Sequence, residues 1–470
     1  MTSTNRNLGI IFLCAVVVRL AFNYLTGFIA DDAFITFRYA ENIAAGNGFV
    51  YNLGEKVLGT STPLFTLILT VFASLSIPLP KAALFVSLLS SGLTATIIYR
   101  FAQQLRFSHF SVIPAVGYIL WPRSLPADTS GMETALFTLL IISAFYYQHK
   151  QFRLYAVGMA TLAAVTRPEG AGLLVLIMAG NIIRDRANWR SYLLVPMMLI
   201  VPWLAFTFFY FGSPLPHAVA AKTALYSQFG IEPLWERVRL VMGFHKYFGY
   251  PLLAGALAGG WWLKKKQNYG GSEIIWMLGM AVFFIFSPTR IFFWYIVPVY
   301  PVYLIFITAS FLFFSDRLKL TASGLKTASR LIAFFLIIVL TASNYHPVIN
   351  HRRTQQTLEN VHRLIGDYLY AHTDPDDIIA AEDIGYMGYY SKRRILDRDG
   401  LISPVAVFYN RNGRYFDLII DQKPDWLVCA VGSPISGFIN DTTFISKYKS
   451  ETSFTFDTLK YTVYSRTKAD

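Results

Sequence analysis

Charged residues and cysteine are both scarce in this chain of 470 residues. Aspartate, glutamate, lysine and arginine make up 15% of it, against about 25% in soluble domains, whereas hydrophobic residues make up 54%. A soluble core could not bury so much apolar surface, so we predict a polytopic membrane protein. Its two cysteines, Cys14 and Cys429, do not imply a disulfide framework. The composition excludes a cytosolic enzyme, a secreted disulfide-stabilised domain and a disordered chain.

Acidic residues are fewer than basic ones, 28 against 41, which leaves a formal net charge of +13. In a membrane protein this excess is typical of basic residues kept in cytoplasmic loops, so we expect no nucleic-acid partner. The chain also has no Walker loop, no G-x-G-x-x-G motif and no histidines at metal-ligand spacing. We therefore predict no cofactor and no metal site, with a divalent metal left open.

Apolar runs predict eleven membrane-spanning helices, because a helix needs about 20 apolar residues to cross a bilayer. The short runs at 135–148 and 154–166 are expected to pack inside the bundle. The first run is too long for a signal peptide and contains Arg19, so it is interpreted as an uncleaved span. The predicted spans are 8–29, 82–100, 109–125, 135–148, 154–166, 169–183, 191–211, 248–263, 273–288, 291–314 and 329–345.

One further apolar run, from Pro63 to Ile77, decides the topology. If it does not cross, later basic residues such as Lys150 and the three lysines at 264–266 all lie in cytoplasmic loops. If it crosses, they all lie outside. The positive-inside rule favours the first arrangement. We therefore predict an interfacial or re-entrant helix here, with the N-terminus inside and the C-terminus outside.

The predicted topology leaves two large external loops and an external C-terminal domain. In the first loop, residues 30–81, helical spacing predicts an amphipathic surface helix over Asp31–Ala45, with Arg38 on its polar face. The second loop is expected at about 212–247. Residues 1–345 are predicted to form the transmembrane domain and 346–470 an α/β domain. Its helix is expected at 351–372, and its strands in DIIAAED, RILDRDG, DWLVCAVG and 452–466.

The adjacent acids Asp31 and Asp32 at the exit of the first span are the strongest local signal of chemistry. Two carboxylates at a membrane boundary are costly unless they are solvated or used. A solvated helix start explains them equally well, because aspartate favours the first positions of a helix. The residues alone leave both interpretations open.

Four further charged residues lie in loops that the topology places on the same outer face. Asp128 and Glu133 could add a second carboxylate to an acid/base site, or cap the helix that follows. Arg167 and Glu169, within the TRPEG segment, could bind a phosphate or form a structural ion pair.

Three more basic residues, Arg38, Lys222 and Arg290, suit a lipid phosphate near the membrane surface, although interfacial cations also commonly snorkel. The run Asp397-Arg398-Asp399 matches the D-x-D metal motif of nucleotide-sugar transferases. We interpret it as structural, because nucleotide sugars are absent outside the cell.

Several blocks of the chain resemble a known family. The segment DDAFITFRYAENIAAGNGFVYNLGEKV, followed by GTSTPLF, resembles the first external loop of the bacterial terminal arabinofuranosyltransferases. Their more distant relatives are the C-type (GT-C) membrane glycosyltransferases. The blocks GMETALF, TRPEG, FGSPLPHAVAAK, WYIVPVYP and AEDIGYMGYYSKRRILDRDGL follow in the family's order.

The resemblance implies a GT-C-like fold with an interfacial helix in the first loop. It also implies an inverting glycosyltransferase on the outer face of a bacterial cytoplasmic membrane, which uses a polyprenyl-phosphate-linked sugar as donor and a cell-envelope glycan or glycolipid as acceptor. The general base would be Asp31 or Asp32, and Glu133 occupies the place of a second acid. The phosphate and substrate would contact Arg38, Asp128, Arg167, Glu169, Lys222 and Arg290.

Other functions remain open. The chain could be a transporter or flippase of lipid-linked sugars, although such proteins carry midplane charges and inverted repeats, which are not visible here. It could be a non-catalytic scaffold for envelope assembly. As a transferase, it could also act on lipid A or protein.

Overall fold

The computed structural model describes residues 3–229, 232–241, 249–267, 269, 271–319 and 321–467. The chain divides into two compact units that alternate along the sequence. The helical unit comprises Met1–Phe28, Ala83–Trp203 and Glu232–His351. The mixed unit comprises Ile29–Ala82, Leu204–Ile231 and Arg352–Asp470. The predicted domain boundary at residue 345 stays a prediction.

Most of the described chain is helical. The helices are α1 (Ser3–Thr26), α2 (Asp31–Ala44), α3 (Pro63–Ser74), α4 (Leu79–Gln104), α5 (Ile113–Leu120), α6 (Ser124–Thr129), α7 (Thr134–His149), α8 (Arg153–Thr166), α9 (Gly170–Arg184), α10 (Trp189–Phe211), α11 (His217–Phe229), α12 (Leu234–Val241), α13 (Gly249–Gln267), α14 (Gly271–Phe286), α15 (Tyr300–Arg317), α16 (Ala322–Ser343), α17 (Tyr345–Thr357), α18 (Leu364–His372), α19 (Ile384–Ser391), α20 (Pro404–Arg411), α21 (Tyr415–Gln422) and α22 (Thr442–Lys447). The strands are β1 (Ile378–Ala381), β2 (Arg394–Asp397), β3 (Trp426–Ala430), β4 (Tyr448–Phe456) and β5 (Leu459–Arg466).

Each predicted span overlaps a helix, although residue 248, where one of them begins, lies outside the described residues. By length and composition, five helices in the described part of the chain could cross a membrane. They are Asn5–Thr26, Leu79–Gln104, Arg186–Phe211, Phe293–Arg317 and Ser323–His372. The other predicted spans lie on shorter helices, so the count of eleven and the topology stay predictions. Part of the predicted loop at 212–247 forms α11 and α12, and its residues 230–231 and 242–247 lie outside the described residues.

The first loop belongs to the mixed unit and contains α2 and α3. Helix α3 has 12 residues, which is about 18 Å of helix and too short for a hydrocarbon core of about 30 Å. The predicted helix at Asp31–Ala45 is present, but Arg38 does not lie on an exposed face. All residues from Ala33 to Ala40 are buried. Helix α2 packs against both α3 and α19. An apolar stripe in the sequence predicts one buried face and does not reveal that a second element covers the other face.

The predicted C-terminal strands form one mixed sheet in the order β2-β1-β3-β5-β4. Strand β1 pairs in parallel with β2 on one side and with β3 on the other, whereas β5 pairs antiparallel with β3 and β4. In open sheets of this kind, functional groups gather beyond the carboxyl ends of the parallel strands, where the strand order reverses. Here that point lies beyond β1, at Glu382 and Asp383.

Candidate functional site

Asp31 joins the start of α2 to the start of α19 within the mixed unit. Its Oδ2 accepts the N–H of Gly385 and its Oδ1 accepts the N–H of Tyr386, both at 2.9 Å. The first amides of a helix lack partners within the helix, and Asp383, at the N-cap of α19, makes no capping hydrogen bond. A Cβ on Gly385 would lie 2.0 Å from the backbone oxygen of Asp31, so only glycine allows this approach.

Arg38, two turns further along α2, binds the other end of α19. Its guanidinium donates to the backbone oxygens of Tyr51, Gly388 and Arg393 at 2.9, 2.6 and 2.6 Å. It also lies 4.2 Å from the centre of the Tyr51 ring. An acid at the start of α19 and a cation at its end both complement the helix dipole. This geometry favours a structural role for Arg38 over binding of a phosphate.

Asp32 differs from its neighbour. Its side chain is exposed, and it accepts no hydrogen bond from any residue that the structure describes. Many protein atoms nevertheless lie around the carboxyl, and their desolvating effect raises its pKa. The ammonium of Lys222 on α11 acts in the opposite direction and lowers this pKa, whereas the negative charge of Asp31 raises it further. An accessible carboxylate with a raised pKa and a nearby cation has the properties of a general base.

Residues of the C-terminal segment, among them His362, lie close to Asp31. Its Nδ1 lies 3.5 Å from Asp31 Oδ1. The hydroxyl of Tyr461 on β5 donates to Asp383 Oδ2, and its ring packs edge-on against the His362 ring with centroids 5.2 Å apart. Burial by itself lowers the pKa of His362, but the carboxylates of Asp31 and Asp383 outweigh it, so the net effect raises the pKa.

The Asp397-Arg398-Asp399 run lies at the carboxyl end of β2. Asp397 accepts the N–H of Asp399 and of Ile402 at 2.9 and 3.0 Å, so it shapes the turn after the strand. Arg398 is buried and donates to Glu382 at 2.9 Å. Both contacts agree with the structural interpretation of this run. Among the described residues, no three His, Cys, Asp or Glu side chains are grouped to hold a metal ion.

The helical unit contains a second charged cluster, centred on Arg167. Its guanidinium binds Glu133 Oε1 at 3.1 Å, and it binds Glu169 through two nitrogens at 3.0 and 3.3 Å. The three side chains are at most 12% exposed. The ring of Tyr295 lies 4.9 Å from the guanidinium. The structure therefore brings together three residues that the sequence placed in two separate loops, as an ion-paired group.

Asp128 is a further buried acid of the helical unit, with partners other than those of Arg167. It pairs with Arg19 at 2.8 Å, both side chains are fully buried, and Ser91 and Tyr118 donate to the same carboxylate. This closed network favours a structural role. Arg290, in contrast, has a side chain that is 65% exposed and lies 3.5 Å from Glu232.

Three residues near Asp31 were not among the sequence candidates: His362, Asp383 and Tyr461. Their local sequences carry no catalytic motif. The one usable signal was the position of Asp383 at the end of the predicted strand DIIAAED, since carboxyl ends of parallel strands commonly carry functional groups.

Comparison with known sequences identifies distant relatives. The chain is 30% identical over 223 residues to a terminal beta-(1->2)-arabinofuranosyltransferase of Mycobacterium tuberculosis, a match that covers 42% of this chain and 35% of that protein. A protein of the same name from Corynebacterium glutamicum is 27% identical over 270 residues, covering 49% and 38%. The chain thus matches well under half the length of these relatives. A family model described as "Domain of unknown function (DUF8728)" matches residues 344–466.

Comparison with solved structures gives matches over nearly the whole chain. ArnT from Cupriavidus metallidurans, bound to undecaprenyl phosphate, aligns with a TM-score of 0.64 at 12% identity and covers 98% of each chain. The chain has the ArnT fold. The archaeal oligosaccharyltransferase AglB from Archaeoglobus fulgidus aligns with a TM-score of 0.58 at 11% identity, over 91% of this chain and 69% of AglB. The ArnT fold is a GT-C fold, so the GT-C part of the predicted fold class is confirmed, whereas the number of spans, the topology and the external placement of the C-terminal domain stay predictions.

Proposed function

We propose that this protein is an inverting glycosyltransferase. It moves a sugar from a polyprenyl-phosphate donor to a glycan or glycolipid of the cell envelope, on the outer face of the cytoplasmic membrane. The observation that carries the proposal is the pair Asp31 and Asp32, of which one carboxylate is bound to α19 and the next is accessible beside Lys222. The ArnT fold and the names of the curated relatives support the reaction class.

Asp32 is the general base in this proposal. As the acceptor oxygen attacks the anomeric carbon, its proton passes to the Asp32 carboxylate and the bond from that carbon to the phosphate oxygen breaks. The polyprenyl phosphate leaves with the bonding electrons, and the configuration inverts. General base catalysis typically contributes about 10²–10⁴ in rate. Asp31 acts as a positioning residue, because both of its oxygens already accept backbone amides.

Lys222 is the proposed partner of the donor phosphate. Lys222 is close enough to Asp32, within the same unit, to lower the pKa of that carboxyl. Arg290 belongs to the helical unit, and its contact with the phosphate stays a prediction. Cations near the leaving oxygen stabilise the charge that develops as the phosphate departs. Arg38, Asp128 and Arg167 are left as structural residues here, because protein groups already bind their charged atoms.

A donor panel tests the proposal. Purified protein in lipid nanodiscs is incubated with polyprenyl-phosphate pentoses and hexoses and a crude envelope acceptor, and released polyprenyl phosphate is followed by mass spectrometry. We expect release with one donor and a loss of about 10²-fold or more in Asp32→Asn. Asp376→Asn, an exposed aspartate of the same unit, is the matched control and should behave as wild type.

Two results would contradict the proposal. Wild-type turnover in Asp32→Asn would exclude Asp32 as the base. Absence of release from every donor, together with passage of a lipid-linked sugar across the bilayer of proteoliposomes, would indicate a transporter instead.

A further inference from the structure

His362 is a buried histidine that the proposed chemistry does not use. It is 5% exposed and lies in a π-helical turn, Leu358–Arg363, between α17 and α18. Single π-turns within α-helices occur frequently at functional sites. Its Nδ1 has no hydrogen-bond partner among the described residues, and the 3.5 Å to Asp31 is the distance of an ion pair rather than of a good hydrogen bond.

The groups around His362 come from several elements of the mixed unit. Asp31 from α2 and Asp383 from the β1–α19 connection supply carboxylates, and Tyr461 from β5 supplies a ring that packs edge-on. Other charged side chains lie on the turn itself and on elements that pack against it. Glu359 pairs with Arg363 on the turn at 2.9 Å, Asp367 on α18 lies 3.7 Å from Arg363, and Lys449 pairs with Glu451 on β4 at 3.7 Å.

We propose that His362 is a positioning residue for sugar transfer, an inference that rests on the proposed function. Its imidazolium lies 3.5 Å from the Asp31 carboxylate and within the influence of the Asp383 charge, so it offsets the repulsion between these two acids. Because Asp31 adjoins Asp32 in the chain, holding Asp31 against α19 also fixes the position of the base. A misplacement of about 1 Å at a reacting group can cost about 10²-fold in rate.

The proposal predicts how the reaction depends on pH. The pKa of His362 is raised by the two carboxylates, so the imidazolium is present below that raised pKa and is lost as the pH rises through it. We therefore expect kcat of the wild-type protein to fall on the alkaline side. The KM for the donor should change little, because His362 does not contact the donor in this proposal.

Kinetics of His362→Gln provide the main test. The wild-type protein, this variant and His372→Gln are compared from about pH 5 to about pH 9, which brackets the ordinary pKa of histidine. His372 is an exposed histidine of α18 and serves as the matched control. We expect His362→Gln to lower kcat by about tenfold to hundredfold with an unchanged donor KM, and to lack the alkaline fall. Wild-type kcat or a persisting alkaline fall in this variant would overturn the proposal.

A double variant that balances the charge distinguishes the effect of the His362 positive charge from the effect of its ring. His362→Gln combined with Asp383→Asn removes both the imidazolium and the carboxylate that it offsets, so part of the lost kcat should return. A double variant no faster than His362→Gln would contradict the role assigned to the charge.

Thermal melting tests the ion cluster independently of activity. A histidine whose pKa is raised on folding stabilises the protein below its unfolded pKa, and this stability is lost as the pH rises through the folded pKa. The Tm of His362→Gln should therefore lie below that of wild type at low pH and approach it at high pH. If no donor supports transfer by wild type, the proposed function fails and the positioning role fails with it. A Tm difference independent of pH would overturn the ion cluster even if transfer is found.

Discussion

At the scale of single residues, two adjacent carboxylates have different surroundings because they belong to one helix. Successive helical residues point about 100° apart, so Asp31 meets the amides of Gly385 and Tyr386 while Asp32 does not. The first carboxylate thereby joins two elements, and the second stays accessible. The proposed division of positioning and proton transfer between these two acids depends on this difference.

Gly385 provides a residue-scale test of this division. A Cβ there would lie 2.0 Å from the Asp31 backbone oxygen, so Gly385→Ala forces α2 and α19 apart, at a cost of about 1–3 kcal/mol for overpacking. We expect a lower Tm and a lower transfer rate, measured by thermal melting and by donor release. Gly437→Ala is the control, since a Cβ at Gly437 would meet no atom within 4 Å. A wild-type Tm and transfer rate in Gly385→Ala would show that the close contact between Gly385 and Asp31 is required neither for stability nor for transfer.

At the scale of elements, α2 makes hydrogen bonds to the start of the eight-residue helix α19 and to the backbone at and just beyond its C-terminal half. Asp31 accepts its first amides and Arg38 donates to the backbone of Gly388 and Arg393. Short helices are marginal alone, because each end leaves backbone groups unpaired. The first loop and the C-terminal segment therefore stabilise each other within the mixed unit.

Arg38→Met distinguishes this structural role from phosphate binding. Each lost hydrogen bond from a charged donor costs about 1.5–3 kcal/mol, so we expect a clear loss of stability in chemical unfolding, a lower kcat and an unchanged donor KM. A raised donor KM with unchanged stability would instead support contact with the phosphate. Arg414→Met is the control, because Arg414 is half-exposed and its guanidinium contacts Asp417 three positions on and the Tyr409 ring, away from α2 and α19 in sequence.

At the scale of the whole molecule, the chain passes repeatedly between two units. The first loop, the segment around α11 and the C-terminal residues belong to one unit although the helical unit separates them in sequence. Lys222 on α11 influences Asp32 for this reason. Because the chain alternates between the two units, the candidate site around Asp31 and Asp32 contains residues from three distant segments of the sequence.

Reporter fusions test the predicted topology of the whole chain. We expect a reporter after Ile77 and one at the C-terminus to read outside, and one at Asn268 to read inside, because basic loops are retained in the cytoplasm. Alkaline phosphatase and a fluorescent protein, which are active on opposite sides, provide the two readouts. An inside signal after Ile77 would contradict the interfacial placement of 63–77.

The sequence by itself determined the helical membrane character, the positions of the strands and the two aspartates at the start of the first loop. These properties depend on apolar run length and on local periodicity, which a short window of residues contains. The same windows placed Arg38 on a polar face, which was wrong, because burial depends on how many neighbours cover a helix.

Only the tertiary structure decided which aspartate is bound and which is accessible, and which groups face them. Asp31 and Gly385 are separated by 354 positions in sequence, and His362 and Tyr461 reach the same place from two other elements. No local pattern encodes such proximity, because it results from packing between elements. The environment that sets the charge of each carboxylate is therefore a property of the folded chain.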